Sequence, residues 1–244
     1  VSTAKFDKKY ARISLIWQFE FGKRVARAMQ VKFCGFTQAS DVQQAIELGA
    51  EALGFVFYPP SPRAVTAEQA QSLVRQVPAF ISVVALVVNM PQSELVALAN
   101  TVDFDVIQFH GDESAEQCQQ LAKSVNKRWV KALRVNKDTH DLQSIQSQIK
   151  DYAQAGASSI LLDAYHKDAY GGTGERFDWS LIPKDSALPI ILAGGLTPDN
   201  ISDTLKLPIQ AVDVSGGIES AKGIKDAGKM AAFIRSVKST RWPS

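Results

Sequence analysis

Residues 82–109, SVVALVVNMPQSELVALANTVDFDVIQF, decide how this chain is read. Residues 82–88 are a short aliphatic and β-branched run, the composition of a strand covered on both faces. Residues 91–101 then bring apolar side chains back at helical spacing, and a second strand-like run follows at 105–109. A strand, a helix and a second strand in that order predict a parallel βαβ unit.

The same alternation extends in both directions. Strand candidates fall at 31–34, 52–57, 82–88, 105–109, 129–133, 159–163, 189–192 and 211–214. Helix-like stretches at 38–49, 66–76, 91–101, 113–125 and 140–155 lie between them, and Thr66, Ser114 and Asp199 open polar first turns. Eight repeats within about 210 residues predict an α/β chain folded as a single (β/α)8 (TIM) barrel over residues 31–244. An open doubly wound sheet is the alternative, but it would carry a glycine-rich fingerprint after its first strand, and Cys34-Gly35-Phe36-Thr37 is not one.

Composition sets the outer limits. The chain has 244 residues, 45% hydrophobic and 21% charged, which excludes a wholly disordered protein. No stretch approaches the ~18 consecutive apolar residues of a membrane-spanning helix. Two cysteines, Cys34 and Cys118, are too few for a disulfide framework, so a reducing, cytoplasmic setting is expected. Of the 27 basic and 25 acidic residues, seven and two fall in residues 1–30, giving that segment +5 and leaving −3 on the rest. The body therefore offers no electrostatic reason to expect nucleic acid as a partner, and no membrane partner is expected either.

Residues 1–30 stand outside the repeat. Within ISLIWQFEF, Ile13, Leu15, Trp17, Phe19 and Phe21 would share one side of a strand. The segment reads as a non-catalytic appendage; a targeting presequence and a translated upstream or vector-derived segment are the other readings.

In a (β/α)8 barrel, functional side chains gather at the C-terminal strand ends. That rule selects Cys34, Arg63, His110, Asp163, Gly194-Gly195 and Ser215-Gly216-Gly217. The two glycine pairs follow the seventh and eighth strands, where main-chain amides of such barrels commonly hold a phosphate. Asp163 ends the apolar run Ser159–Leu162; a carboxyl at an apolar mouth has its charged form destabilised, which suits a general acid. Cys34 could serve as nucleophile or base if local positive potential lowered its pKa, and Lys32, two residues earlier on the same strand side, would supply that potential. Cys118, inside a helical pattern, reads as a buried hydrophobe. Arg63, on the proline-stiffened Pro59-Pro60-Ser61-Pro62 loop, has a fork suited to a substrate carboxylate. Gly171, Gly172 and Gly174 suggest a lid. The histidines His110, His140 and His166 lack metal-ligand spacing, so neither metal nor cofactor is expected.

Taken together, several motifs resemble the phosphoribosylanthranilate isomerase family. They are Lys32-Phe33-Cys34-Gly35-Phe36-Thr37, Gly54-Phe55-Val56-Phe57-Tyr58-Pro59 with Ser61-Pro62-Arg63, and Gln108-Phe109-His110-Gly111. Leu162-Asp163, Tyr170-Gly171-Gly172-Thr173-Gly174, Phe177-Asp178-Trp179, Ala193-Gly194-Gly195-Leu196 and Asp213-Val214-Ser215 continue them in family order. Phe36 stands where an aliphatic residue is more usual, and Gly216 where serine often follows Ser215.

The resemblance implies an Amadori rearrangement in tryptophan biosynthesis, with a phosphosugar as the small-molecule partner and a monomer or homodimer as the assembly. It implies that Asp163 protonates the furanose ring oxygen and that Cys34 removes the C2′ proton. Arg63 would hold the anthranilate carboxylate and the glycine loops the phosphate. His110 and Asp213 would contact substrate, Asp213 with the least defined role. The rivals are another phosphosugar barrel, such as indole-glycerol-phosphate synthase (catalytic lysines and a glutamate) or a histidine-pathway isomerase (an aspartate in place of Cys34), and a non-enzymatic protein that binds through its basic arm.

Overall fold

A period-two alternation along eight strands builds the molecule. The computed structural model describes residues 29–136, 139–164 and 178–238. Its strands are β1 (Gln30–Cys34), β2 (Ala52–Phe57), β3 (Ser82–Val87), β4 (Val106–Phe109), β5 (Arg128–Val135), β6 (Ser159–Ala164), β7 (Ile190–Leu192) and β8 (Ala211–Val214). They pair in parallel in chain order and close, β8 returning to β1 with Gln30 opposite Ala211 and Phe33 opposite Val214. Around them lie α1 (Ala39–Glu47), α2 (Ala67–Val74), α3 (Gln92–Thr101), α4 (Ala115–Val125), α5 (Leu142–Gln154) and α6 (Ala227–Lys238). This is the (β/α)8 barrel expected from the sequence.

Alternate residues face opposite sides of each strand. On β1, Val31 and Phe33 join the core between barrel and helices, where Phe33 meets Phe233 of α6 edge-on at 6.0 Å. Lys32 and Cys34 point into the barrel; Cys34 packs there with Val56 and Leu86. On β6, Ile160 and Leu162 face the helices, whereas Leu161 sits in an interior layer with Val130, Ala132 and Ala193. Asp163, two residues past Leu161, is therefore aimed into the barrel at its C-terminal mouth.

Helix starts follow the sequence where a cap can form. The Thr66 and Ser114 hydroxyls each accept from the backbone N–H three residues on, and their own backbone N–H groups donate to the Oε1 of that same residue, a glutamine in both. Asp199 does not behave this way. The segment after β7 forms only a 3-10 helix, Ile201–Lys206, preceded by Asn200. The Asn200 side chain braces the loop instead, accepting from Thr197 N (3.0 Å) and donating to Gly195 O (2.8 Å). Leu207 is extended, as a residue before proline must be, so the segment has no room for more turns.

Glu113 also departs from expectation: it precedes α4 and is buried, with Lys131 Nζ at 2.7 Å. The barrel begins at Gln30, whose N–H donates to Gln210 O at 3.1 Å, one residue before the expected boundary. Residues 1–28 of the proposed appendage lie outside the described residues. After β8 a 3-10 turn (Gly216–Ile218) leads into a hairpin, β9 (Glu219–Ala221) with β10 (Ile224–Lys225). Among the described residues, no helix is long and apolar enough to cross a membrane.

Candidate active site

The mouth of the barrel holds a cavity of about 320 Å³. Its wall includes Cys34, Arg63, His110, Asp163, Asp213, Gly194, Gly195, Ser215, Gly216 and Gly217. Every described residue singled out from the sequence as a site candidate therefore lines one space. Gly171, Gly172, Gly174 and His166 lie outside the described residues.

Asp163 is buried, as expected, but its surroundings are not wholly apolar. His110 Nε2 lies 3.2 Å from Asp163 Oδ2, and the Gln108 amide donates to His110 Nδ1 at 3.0 Å. With Nδ1 accepting, the ring carries its proton on Nε2 and donates it to Asp163. Both ring nitrogens of His110 are thus occupied within the protein, while the residue itself forms part of the cavity wall. Asp163 Oδ1 lies against Gly194, where a Cβ would come within 2.9 Å of it. Gly194 and Gly195 have φ of 83° and 62°, a backbone that side-chain-bearing residues rarely adopt.

The second glycine loop packs on the first: a Cβ on Gly217 would overlap the Leu196 carbonyl oxygen. The Ser215 hydroxyl donates to Cys34 O at 2.9 Å, which ties the second glycine loop to the end of β1.

Cys34 and its surroundings correct one expectation. Lys32 is indeed inside the barrel beside the thiol, but it is paired with Asp213 at 2.9 Å. Burial pushes the Cys34 thiol above its ordinary value; Lys32 pulls it partly back, and Asp213 raises it again. For Lys32 itself, burial works against the charge, but Asp213 and Cys34 more than restore it. Gly54 makes this arrangement possible, because a Cβ there would lie 2.7 Å from Cys34 Sγ and 3.0 Å from Lys32 Nζ. Cys118 is inert: burial pushes its thiol up to about 12.

Arg63 crosses over Gly35, where a Cβ would meet the Arg63 side chain at 2.5 Å. Its fork is not empty. Nε and Nη2 bind the two oxygens of Glu219 at 2.7 and 2.8 Å, and Nη1 takes no part in that pair. Glu219 also accepts from Lys225 Nζ at 2.9 Å, and Lys225 Nζ reaches Cys34 O at 2.6 Å and Ser215 O at 3.2 Å. Burial disfavours the Glu219 carboxylate, but Arg63 and then Lys225 more than offset it and hold it below the usual carboxylate range. Lys225, Glu219 and Gln108 were missed from the sequence. The one available signal was that Glu219 and Lys225 flank a short hairpin directly after the glycine loop.

Comparison with known proteins decides the lineage. The family model for N-(5'phosphoribosyl)anthranilate (PRA) isomerase matches residues 31–236. The chain belongs to this family. The Acinetobacter calcoaceticus isomerase is 46% identical over 210 residues, covering 86% of this chain and 96% of the relative. The Nitrosococcus oceani isomerase is 48% identical over 211 residues, covering 86% and 98%. Among solved structures, the Thermotoga maritima isomerase superposes with a TM-score of 0.77 at 32% identity, covering 86% of this chain and 99% of that one. A family structure in complex with reduced 1-(o-carboxyphenylamino)-1-deoxyribulose 5-phosphate gives 0.74 at 32% identity, with the same coverage. Among the described residues, no group of three or more His, Cys, Asp or Glu is placed to hold a metal ion.

Proposed function

We propose that the protein catalyses the Amadori rearrangement of N-(5-phosphoribosyl)anthranilate to 1-(2-carboxyphenylamino)-1-deoxyribulose 5-phosphate in tryptophan biosynthesis. The observation that carries this is one cavity, in a chain of this family, that brings a carboxyl, a thiol and two glycine loops together.

Asp163, protonated on Oδ1 while Oδ2 accepts from His110, donates to the furanose ring oxygen. The C1′–O bond breaks and the nitrogen lone pair forms the iminium. Cys34, as thiolate, takes the C2′ proton; the C–H electrons become the C1′=C2′ bond and the iminium pair returns to nitrogen. The resulting enolamine gains a proton at C1′ and loses the C2′ hydroxyl proton to become the ketone. Placed acid–base groups of this kind contribute ~10²–10⁴-fold each.

The Nη1 edge of Arg63 takes the anthranilate carboxylate while Glu219 fixes the opposite edge of the fork. Main-chain N–H groups of Gly194-Gly195 and Ser215-Gly216-Gly217 take the phosphate. The catalytic unit starts at the first barrel strand, Gln30–Cys34, with the segment before that strand outside the unit. A solved form of the Thermotoga maritima isomerase consists of monomers generated from the dimeric protein, which supports a monomer or homodimer here.

The test is direct. Phosphoribosylanthranilate is generated in situ and its anthranilate-type fluorescence followed. Loss that scales with the amount of this protein is expected; no loss under conditions where a known isomerase is active would overturn the reading.

A further inference from the structure

The reaction above leaves a buried pair without a task. Lys32 and Asp213 stand opposite each other in the β1–β8 register, and Lys32 Nζ donates to both carboxylate oxygens, at 2.9 and 3.0 Å. The same ammonium and the Cys34 sulfur converge on one point, the empty Cβ position of Gly54. Cys34 and Asp213 line the cavity, whereas Lys32 is buried beside them and is not part of its wall. Lys32 can therefore reach a ligand only through these two neighbours.

We propose that Lys32 is a positioning residue whose ammonium, shared between Asp213 and Cys34, sets how readily the thiol releases its proton, with Asp213 acting in the opposite sense. This rests on the reading of Cys34 as the base.

The charged groups around the sulfur support it. β1 brings Lys32, β8 brings Asp213 and β10 brings Lys225, while β2 presents Gly54 and Val56, which carry no charge. Lys225 is held by two carbonyl oxygens and Glu219. That leaves Lys32 as the cation that meets the sulfur across the Gly54 gap, Nζ and Sγ lying 3.0 and 2.7 Å from the same empty Cβ position. A thiol buried in this way is otherwise held in its neutral form, and a neutral thiol cannot take a proton from carbon. In the wild-type protein the ammonium is held by Asp213 while the thiol is neutral, and faces the thiolate as well once the proton has left for water in the open cavity. When the thiolate then takes the C2′ proton, the ammonium falls back on Asp213. No proton passes to Lys32 itself.

The two neighbours predict shifts of opposite sign, which a merely structural role would not. Alkylation of Cys34 by iodoacetamide is measured on folded protein from pH ~7 to ~10, in a Cys118→Ala background, with Lys32→Met and Asp213→Asn. Lys32→Met is expected to slow alkylation in this range at least about tenfold, and Asp213→Asn to speed it several-fold, since a tenfold change corresponds to one unit in the thiol pKa. The thiolate-dependent limb of the kcat/KM pH profile moves the same way in each variant. Slowing in both variants, or no change in either, overturns the proposal. If Lys32→Met fails to fold, Asp213→Asn decides alone: faster alkylation supports the proposal, and unchanged or slower alkylation refutes it. Full turnover by Cys34→Ser would refute the base reading instead, and leaves the alkylation order as a separate result.

Discussion

Replacing Glu219 by glutamine removes one negative charge from between the buried Lys225 and the half-buried Arg63. The wild-type carboxylate makes two charge-assisted bonds to Arg63 (2.7 and 2.8 Å) and one to Lys225 (2.9 Å). A glutamine keeps one acceptor oxygen and turns an N–H₂ toward the remaining cation. Breaking a buried ion pair from one side costs ~3–5 kcal/mol. Because the amide retains part of the network, the low end, about 3 kcal/mol, is expected. For a barrel of this size, each kcal/mol moves Tm by ~2–4 °C, so Glu219→Gln should melt roughly 6–12 °C lower near pH 7.

The pH dependence carries a sign of its own. The folded Glu219 carboxyl titrates below its ordinary value of 4.5, so its stabilisation is fully present above that value. It fades as pH falls through the lower folded value. The Tm gap between wild type and variant should therefore be constant from pH ~7 down to ~5 and shrink below ~4.5. Differential scanning calorimetry across that range measures it. A gap under about 2 °C at neutral pH, or one that widens in acid, would refute the reasoning.

Two further substitutions test the site's construction. Gly54→Ala places a methyl 2.7 Å from Cys34 Sγ and 3.0 Å from Lys32 Nζ, so turnover should fall at least about tenfold in a protein that still folds; unchanged kcat would show that neither group's position matters. His110→Phe removes the N–H that holds Asp163 Oδ2, and kcat should drop ~10–100-fold with little change in KM; a rise in KM alone would make His110 a binding residue instead.

The barrel was legible in the sequence because parallel strands covered on both faces are short apolar runs, and Val31–Cys34 and Ser159–Asp163 read as such without reference to anything distant. The same period of two that hides Phe33 among helices turns Cys34 inward, so the cavity-facing candidates could be picked by position alone. What could not be read were charge pairs made when the barrel closes. Lys32 and Asp213 are 181 residues apart, and Arg63 and Glu219 are 156 apart. Nothing local distinguishes these residues from solvated ones. For that reason the sequence points Arg63 only at a substrate carboxylate and Lys32 only at Cys34, with Glu219 and Asp213 entering neither reading. Asp199 misled for a local reason: Asn200, one residue later, turns its amide back onto the glycine loop.

The central claim is that Asp163 and Cys34 are acid and base on one substrate in one cavity. The measurement that tests it most directly is kcat for Asp163→Asn and Cys34→Ser, set beside their affinity for reduced 1-(o-carboxyphenylamino)-1-deoxyribulose 5-phosphate. Each variant should lose at least ~100-fold in kcat while binding the analogue nearly as tightly as wild type. Turnover near the wild-type rate in either variant would contradict the role given to that residue, and in both it would contradict the account.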